Sequence, residues 1–302
     1  MIIYKAYALL ALATLFWAAN SIAGKFAVGH VSPMVIVTIR WASVMVALYL
    51  FKKDQIAADW AVIRPRLSYL LILGAIGFTG FSVALFYALI YTTAVNASIM
   101  QGGTPLFVFA ASFILFSSRI VKEQAFGFIL SFLGVIIVAV QGDLANLFAL
   151  NINFGDALML LAILSYGIYT AALRSKPNIH WTSLMFVLCL GATLASLPLL
   201  VIEAVQGFTK LPDSQGWLAV AYIVIFPSLL GQVFFIRAVE LIGGNRASLF
   251  INLLPIWGAL LAITLVGETF HLYHAAALAL IFAGIGLAEY GGRKLGRLNQ
   301  SG

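Results

Sequence analysis

Charge is what this chain is short of. Asp, Glu, Lys and Arg make up 9% of its 302 residues, against about a quarter in a soluble domain. With 63% hydrophobic residues and a mean hydropathy of +1.06, the chain cannot hide its apolar surface by folding on itself in water. A soluble globular domain is excluded. The single cysteine, Cys189, excludes an internal disulfide framework, and no Cys/His cluster has zinc-site spacing. The charge that remains is lopsided, 17 basic residues against 10 acidic, for a net +7. Those basic residues lie between apolar runs and near the C-terminal end. They read as orienting groups in a bilayer rather than as a nucleic-acid surface.

What is abundant is apolar sequence. Ten runs stand out, at 6–28, 33–51, 68–92, 96–117, 124–142, 154–173, 182–206, 216–241, 245–266 and 271–291. Each approaches the roughly 20 residues that a helix needs to cross about 30 Å of hydrocarbon. The longest stretch between runs is Lys52 to Leu67, which leaves no room for a soluble domain. Residues 1–23 have the look of a secretory signal, with Lys5 ahead of an apolar stretch and Ala18-Ala19 as small residues. The apolar run continues to Val28, however, so it is read as a retained first helix. About thirteen Lys and Arg fall on the side holding the N-terminus and about two, Lys25 and Lys210, on the other. This asymmetry predicts both termini in the cytoplasm and an even number of crossings of the inner membrane.

The sequence also repeats. An offset of 150 aligns 83–138 with 233–288 without a gap, pairing Ala88 with Ala238, Ser98 with Ser248, Pro105 with Pro255 and Gly134 with Gly284. An offset of 149 pairs Trp17, Asn20, Ser21 and Lys25 with Tyr166, Tyr169, Thr170 and Arg174. Five runs per unit is an odd number, so the second unit enters the bilayer from the opposite side. The expectation is an all-α membrane protein of ten transmembrane helices. They form two inverted five-helix repeats, 1–145 and 146–302, around a central cavity, as in secondary transporters.

Two runs are spoiled at matching places, by NASIMQGGTPLF at 96–107 and RASLFINLLPIW at 246–257. Pro105 and Pro255 lack a backbone N–H and are expected to bend the fourth and ninth helices, freeing the carbonyls of Gln101 and Ile251 near mid-bilayer. Freed carbonyls survive there only against protein or a wet cavity. Helical spacing puts Ser98, Gln101, Gly102 and Pro105 on one face, and Ser248, Asn252 and Pro255 on the matching face. Trp17, Asn20, Ser21 and Gly24 share a face of the first run, Tyr166, Tyr169 and Thr170 one of the sixth, and Tyr87 and Tyr91 one of the third. The candidate substrate-binding set is therefore Trp17, Asn20, Tyr87, Tyr91, Gln101, Tyr166, Tyr169, Asn252 and Trp257, with Pro105 and Pro255 as helix-bending residues. Aromatic walls with a few amides suit a small organic solute. For any one of these residues, ordinary helix packing is the competing reading.

Ionisable residues inside a membrane usually mark function. Arg237 and Glu240, at i and i+3, can neutralise each other. Arg40, mid-way along the second run, holds either a substrate carboxylate or a cluster of carbonyls. Lys25 and Glu203 lie near run ends, where snorkelling accounts for them. The spacing of Glu268, His271 and His274 in GETFHLYH drifts around a helix and lacks metal-site geometry, so no metal is expected. Gly74, Gly77 and Gly80 form a small-residue stripe, read as internal packing rather than a dimer face.

FWAANSIAGKFA at 16–27, NASIMQGGTPLFVFAASFILF at 96–116, NRASLFINLLPIWGALLAITLVGE at 245–268 and the Gly134 and Gly284 runs carry a resemblance. The chain resembles the drug/metabolite transporter superfamily, EamA branch, over essentially its whole length, and within it the aromatic amino acid exporters. The resemblance implies ten helices in two inverted repeats. It also implies export of metabolites through a cavity lined by helices one, three, four, six, eight and nine. That family often ends the fourth and ninth helices with Glu; Glu268 fits the second position, whereas Ser118 or Arg119 stands at the first. The expected function is export of amino acids, aromatic ones preferred, by alternating access in a monomer. The partners are a small-molecule substrate and lipid, without cofactor, metal or nucleic acid. The alternatives are export of lipophilic cations or drugs or of other small metabolites, and, further off, an intramembrane enzyme. His30, His180, His271 and His274 show no nucleophile–base spacing for the last of these.

Overall fold

The computed structural model describes residues 2–116, 121–143, 153–243, 247 and 249–298. Ser118, Arg119 and Ser248, named above, and Arg246 lie outside the described residues. Among those described the chain is all helix with no strand. In hydrocarbon this is what the backbone dictates, because a helix satisfies every interior N–H and C=O within one segment.

Helix α1 spans Ile2–Ala27 and α2 spans Pro33–Ile63, with Pro33 in the first turn, where its missing N–H costs nothing. Then come α3 (Leu67–Gly74), a π-helical segment (Ala75–Gly80) and α4 (Phe81–Tyr91). The fourth apolar run is split into α5 (Ala94–Gln101) and α6 (Thr104–Phe116). Next are α7 (Lys122–Ala139), α8 (Phe154–Ala172) and α9 (Trp181–Val205). The eighth run holds α10 (Ser214–Ile223), a second π-helical segment (Val224–Leu230) and α11 (Gly231–Ile242). The ninth holds a 3-10 turn (Leu249–Leu253), α12 (Leu254–Leu261) and a π-helical segment (Ala262–Val266), and α13 (Leu272–Leu298) follows.

Six of the described helical stretches are long and apolar enough to cross a membrane, and α5 with α6, bent by 42°, makes a seventh. One of the six, Pro33–Tyr91, is 59 residues long. At 1.5 Å per residue it would measure roughly 90 Å if straight, well beyond one crossing. It is not straight: Lys52 leaves helical geometry at φ −137, ψ 20, and both α2 and α3 pack against α9. The stretch from Lys52 to Leu67, expected as a connection, is thus mostly helical. Its Ile56 and Ile63 are buried, and Asp59 accepts from Gln55 and the His180 N–H.

Helix pairing sets where the centre lies. α7 packs on α13, α8 on α4 and α6, α1 on α11 and α12, and α5 on α12. Lipid is as apolar as leucine, so these contacts depend on close backbone approach rather than on hydrophobic burial. A Cβ on Gly127 would meet the Gly284 carbonyl at 2.4 Å, which makes this glycine obligatory to the α7–α13 contact. Gly74, Gly77 and Gly80 face Leu188, Tyr169 and Ser165. The stripe packs inside the bundle, as its spacing suggested.

Candidate functional site

The split between α5 and α6 follows from its residues. The Gly102 and Gly103 N–H groups bond back three residues to Ile99 and Met100, tightening the turn. Pro105 cannot serve the Gln101 carbonyl, and the Thr104 hydroxyl does so instead at 2.6 Å. The freed carbonyl expected from sequence is therefore satisfied locally. Pro255 behaves differently from the expectation of a bend. It sits in the first turn of α12, after the 3-10 segment, so it opens an α-helix rather than kinking a continuous one. Proline is at home there because first-turn N–H groups have no helical partner.

The two interruptions meet. A Cβ on Gly102 would lie 3.1 Å from Pro255 Cγ, and one on Gly258 would lie 2.3 Å from Ser98 Oγ. α5 and α12 thus cross through small residues at the places where their parent runs are spoiled.

Around this crossing, α1 supplies Trp17, Asn20 and Ser21. The Trp17 indole donates to the Pro227 carbonyl at 2.9 Å, inside the π-helical segment that precedes α11. A π turn loosens the i to i−4 ladder and often marks a functional site; here it presents a carbonyl to a residue of the first run. The Gln101 amide donates to Ser21 Oγ at 2.9 Å. Asn20 accepts from Arg40 Nη1 at 3.3 Å, and Arg40 Nε donates to Ser228 Oγ at 2.8 Å. Ser228 in turn donates to the Ile223 carbonyl at 2.7 Å. Arg40 is 7% exposed and its guanidinium lies 4.4 Å from the Trp41 ring centroid. From Trp41 an aromatic row continues: Phe78 stacked at 4.4 Å, Tyr169 at 5.5 Å from Phe78, Tyr166 at 5.5 Å from Tyr169, and Phe81 at 5.3 Å from Tyr166.

Of the candidate set, Trp17, Asn20 and Gln101 are thus brought together through α1, and Tyr166 and Tyr169 share one aromatic row. Asn252 and Trp257 are half-buried on the ninth run, and the Trp257 indole N–H is buried without a partner among the described residues. Tyr87 turns towards α9, its hydroxyl donating to Glu203 at 2.7 Å. Tyr91 stands apart at the end of α4, 53% exposed, edge-on to Phe154.

Several polar residues play parts that spacing did not reveal. Glu203 does not snorkel. It is 3% exposed and accepts from Ser32 Oγ at 2.6 Å, Tyr87 and the Met34 N–H at 3.3 Å. Lys25 donates to the carbonyls of Leu89 and Thr92 at the end of α4. Glu268 accepts from the Ala94 and Val95 N–H groups, both at 2.8 Å, and so caps α5. Asp156 accepts from Thr92 at 2.5 Å and from Asn96, and Asn96 Oδ1 lies 2.9 Å from His274 Nε2. His274 Nδ1 accepts the His271 N–H, which leaves the ring proton on Nε2, donated to Asn96. Among these only Asp156, three residues after the capping Asn153, carried a local signal. Arg237 and Glu240 do pair, at 2.9 Å on an exposed surface.

Comparison with known proteins places this arrangement. The model of the EamA-like transporter family matches residues 4–140 and again 153–289. "Uncharacterized transporter YyaM" of Bacillus subtilis (strain 168) is 26% identical over 287 residues, covering 90% of this chain and 89% of that protein. An "Uncharacterized transporter" of Archaeoglobus fulgidus is 28% identical over 295 residues, covering 93% and 97%. A crystal structure superposes with a TM-score of 0.60 at 19% identity over 97% of this chain and 99% of that one, a likeness of fold alone. Such a family implies a small-molecule substrate, several membrane crossings and a transport role rather than catalysis. With two matches that together take in nearly all of its apolar runs, the chain belongs to the EamA-like transporter family.

Proposed function

We propose that this protein exports amino acids, aromatic ones preferred, from the cytoplasm by alternating access. Ten crossings would form two inverted five-helix halves, 1–145 and 146–302, in the inner membrane with both termini inside. The pairing of helices supports this: exchanging the first run with the sixth, the second with the seventh and so on maps the most extensive described helix pairs onto one another. α4 on α8 becomes α11 on α1, α6 on α8 becomes α12 on α1, and α7 on α13 returns to itself. The two π-helical segments of the third and eighth runs begin 149 residues apart, in the same relation.

The observation that carries the reading is the meeting of the spoiled runs at Gly102 and Pro255, with the polar groups of Gln101, Ser21 and Asn20 beside them. Polar backbone and amide groups at membrane depth suit the zwitterionic end of an amino acid, and Trp17, Tyr166 and Tyr169 suit an aromatic side chain. Aromatic contact tolerates many apolar shapes, so selectivity should be broad. The test is flux of radiolabelled phenylalanine through purified protein in liposomes. Trp17→Ala and Gln101→Ala should each impair it while the protein remains folded. Normal flux in both variants would remove these residues from the pathway. Stronger competition by lipophilic cations than by tryptophan would favour a drug exporter.

A further inference from the structure

The transport reading leaves Arg40 unassigned, and its surroundings are unusual. Among the described residues no carboxylate lies within 4.0 Å of it, and the ion pairs found there are His30–Asp213 and Arg237–Glu240. A guanidinium is too strong a base to shed its charge. A lone buried cation costs several kcal/mol unless an anion or a full set of acceptors meets it. Here the acceptors are too few. Nε is taken by Ser228 and Nη1 by Asn20, while Nη2 makes no hydrogen bond among the described residues. The indole N–H of Trp41, whose ring lies under the guanidinium, is also buried without an acceptor. Two neighbouring donors, one of them cationic, thus lack acceptors at membrane depth.

We propose that the Arg40 guanidinium is the anion-binding group of the transport site, receiving a carboxylate of the solute on the Nη2 edge that Asn20 and Ser228 leave open. This rests on the transport reading and narrows it: the solute carries a carboxylate, and its aromatic part lies along Trp41, Phe78, Tyr169 and Tyr166. Carboxylate and guanidinium match as two parallel N–H···O bonds, a geometry that lysine cannot reproduce. Ser228 and Asn20 act as positioning residues that fix the plane of the fork. The same charge repels lipophilic cations, so Arg40 selects as well as binds.

The experiment compares three competitors of phenylalanine flux in liposomes: tryptophan, phenylalaninamide, which lacks the carboxylate, and 3-phenylpropionate, which lacks the amine. For the wild type, tryptophan and 3-phenylpropionate should compete and phenylalaninamide should be weaker by about 10- to 100-fold, the range of one or two charge-assisted hydrogen bonds. Arg40→Gln should erase that preference, and Arg40→Lys should retain part of it. Retention of the full preference in Arg40→Gln, or its absence in the wild type, overturns the proposal. Should Arg40→Gln fail to fold, Ser228→Ala decides: a several-fold rise in KM for phenylalanine with unchanged inhibition by phenylalaninamide supports the assignment, and equal changes in both refute it. Failure of the amino acid reading looks different. The wild type would then carry no phenylalanine, whereas 3-phenylpropionate would still raise the melting temperature of the wild type, and raise that of Arg40→Lys by less.

Discussion

Glu268→Gln offers the sharpest test of how the spoiled helices are held. The Glu268 carboxylate accepts from two successive N–H groups, Ala94 and Val95, each at 2.8 Å, at the positive end of α5. Glutamine keeps one acceptor oxygen, turns an amide towards the other N–H and removes the charge. A helix-end charge is worth roughly 0.3–1 kcal/mol, and a lost hydrogen bond about 1 kcal/mol more. The substitution should therefore weaken the docking of α5 by about 1–2 kcal/mol, a factor of about 5 to 30 in the equilibrium between docked and separated states. Ser98 reports that separation, being 3% exposed and packed on Gly258 of α12. In a Cys189→Ala background, Ser98→Cys should react with a water-soluble maleimide about 5 to 30 times faster when Glu268→Gln is added. An unchanged labelling rate in folded protein would refute the reasoning, for it would mean that α5 and α12 do not part at this point. Glu268→Asp, one methylene shorter, should fall between the two.

Other perturbations follow from the packing. Gly127→Leu forces a side chain against the Gly284 carbonyl, which a Cβ alone approaches to 2.4 Å, and should abolish folded protein on size exclusion. Glu203→Ala orphans donors from Ser32, Tyr87 and Met34 at about 1–3 kcal/mol each, and should lower the melting temperature more than Glu203→Gln does. Asp213, exposed at the N-cap of α10, is held below the ordinary carboxylate pKa of 3.8 by the Gly216 N–H and then by His30. A depressed carboxyl stabilises fully above its ordinary range and loses that stabilisation as pH falls through it. The wild-type melting temperature should therefore drop more steeply below about pH 4 than that of Asp213→Asn. Arg237→Ala should leave stability unchanged within error, because both members of its pair are largely exposed.

What the sequence disclosed was periodic or compositional. Apolar runs gave the helices, and i, i+3, i+4 spacing gathered Trp17, Asn20 and Ser21 on the α1 face that meets Gln101 and Arg40. Proline marked both interruptions, and each is the second residue of a helix, Pro105 in α6 and Pro255 in α12; its chemistry alone could not tell whether a bent-away α-helix or a 3-10 turn precedes it. The neighbours decide that. Tyr91 shares a face with Tyr87 yet lies too near the end of α4 to join the others, a matter of depth rather than of face. The roles of Glu203, Lys25, Glu268 and His274 were illegible for a common reason. Each bonds to a residue more than 60 positions away, mostly to backbone groups at helix ends, and no local pattern encodes such a partner.

Those illegible residues share one end of the molecule, where α1 and α4 finish and α2, α5, α8 and α13 begin. There Glu268, Asp156 and His274 of the second matched segment bind Ala94, Val95, Thr92 and Asn96 of the first, and Glu203 binds Ser32, Met34 and Tyr87. Asp213 meets His30, and Gln215 reaches the Phe26 carbonyl. At the opposite end the segments also meet, through the pairs Tyr69 and Ala172, Asp59 and His180, and Ser183 and Gln55, and through a buried cluster of Ala6, Leu10, Ala238 and Ala247. In the proposed orientation the tied end faces outward. Hydrogen bonds between membrane helices average about 0.6 kcal/mol, so the whole set is worth a few kcal/mol, the usual gap between two conformers of one protein. A latch of that strength holds against thermal motion yet yields to a single solute or a single substitution. That is why Glu268→Gln, at about 1–2 kcal/mol, should move a measurable fraction of the molecules.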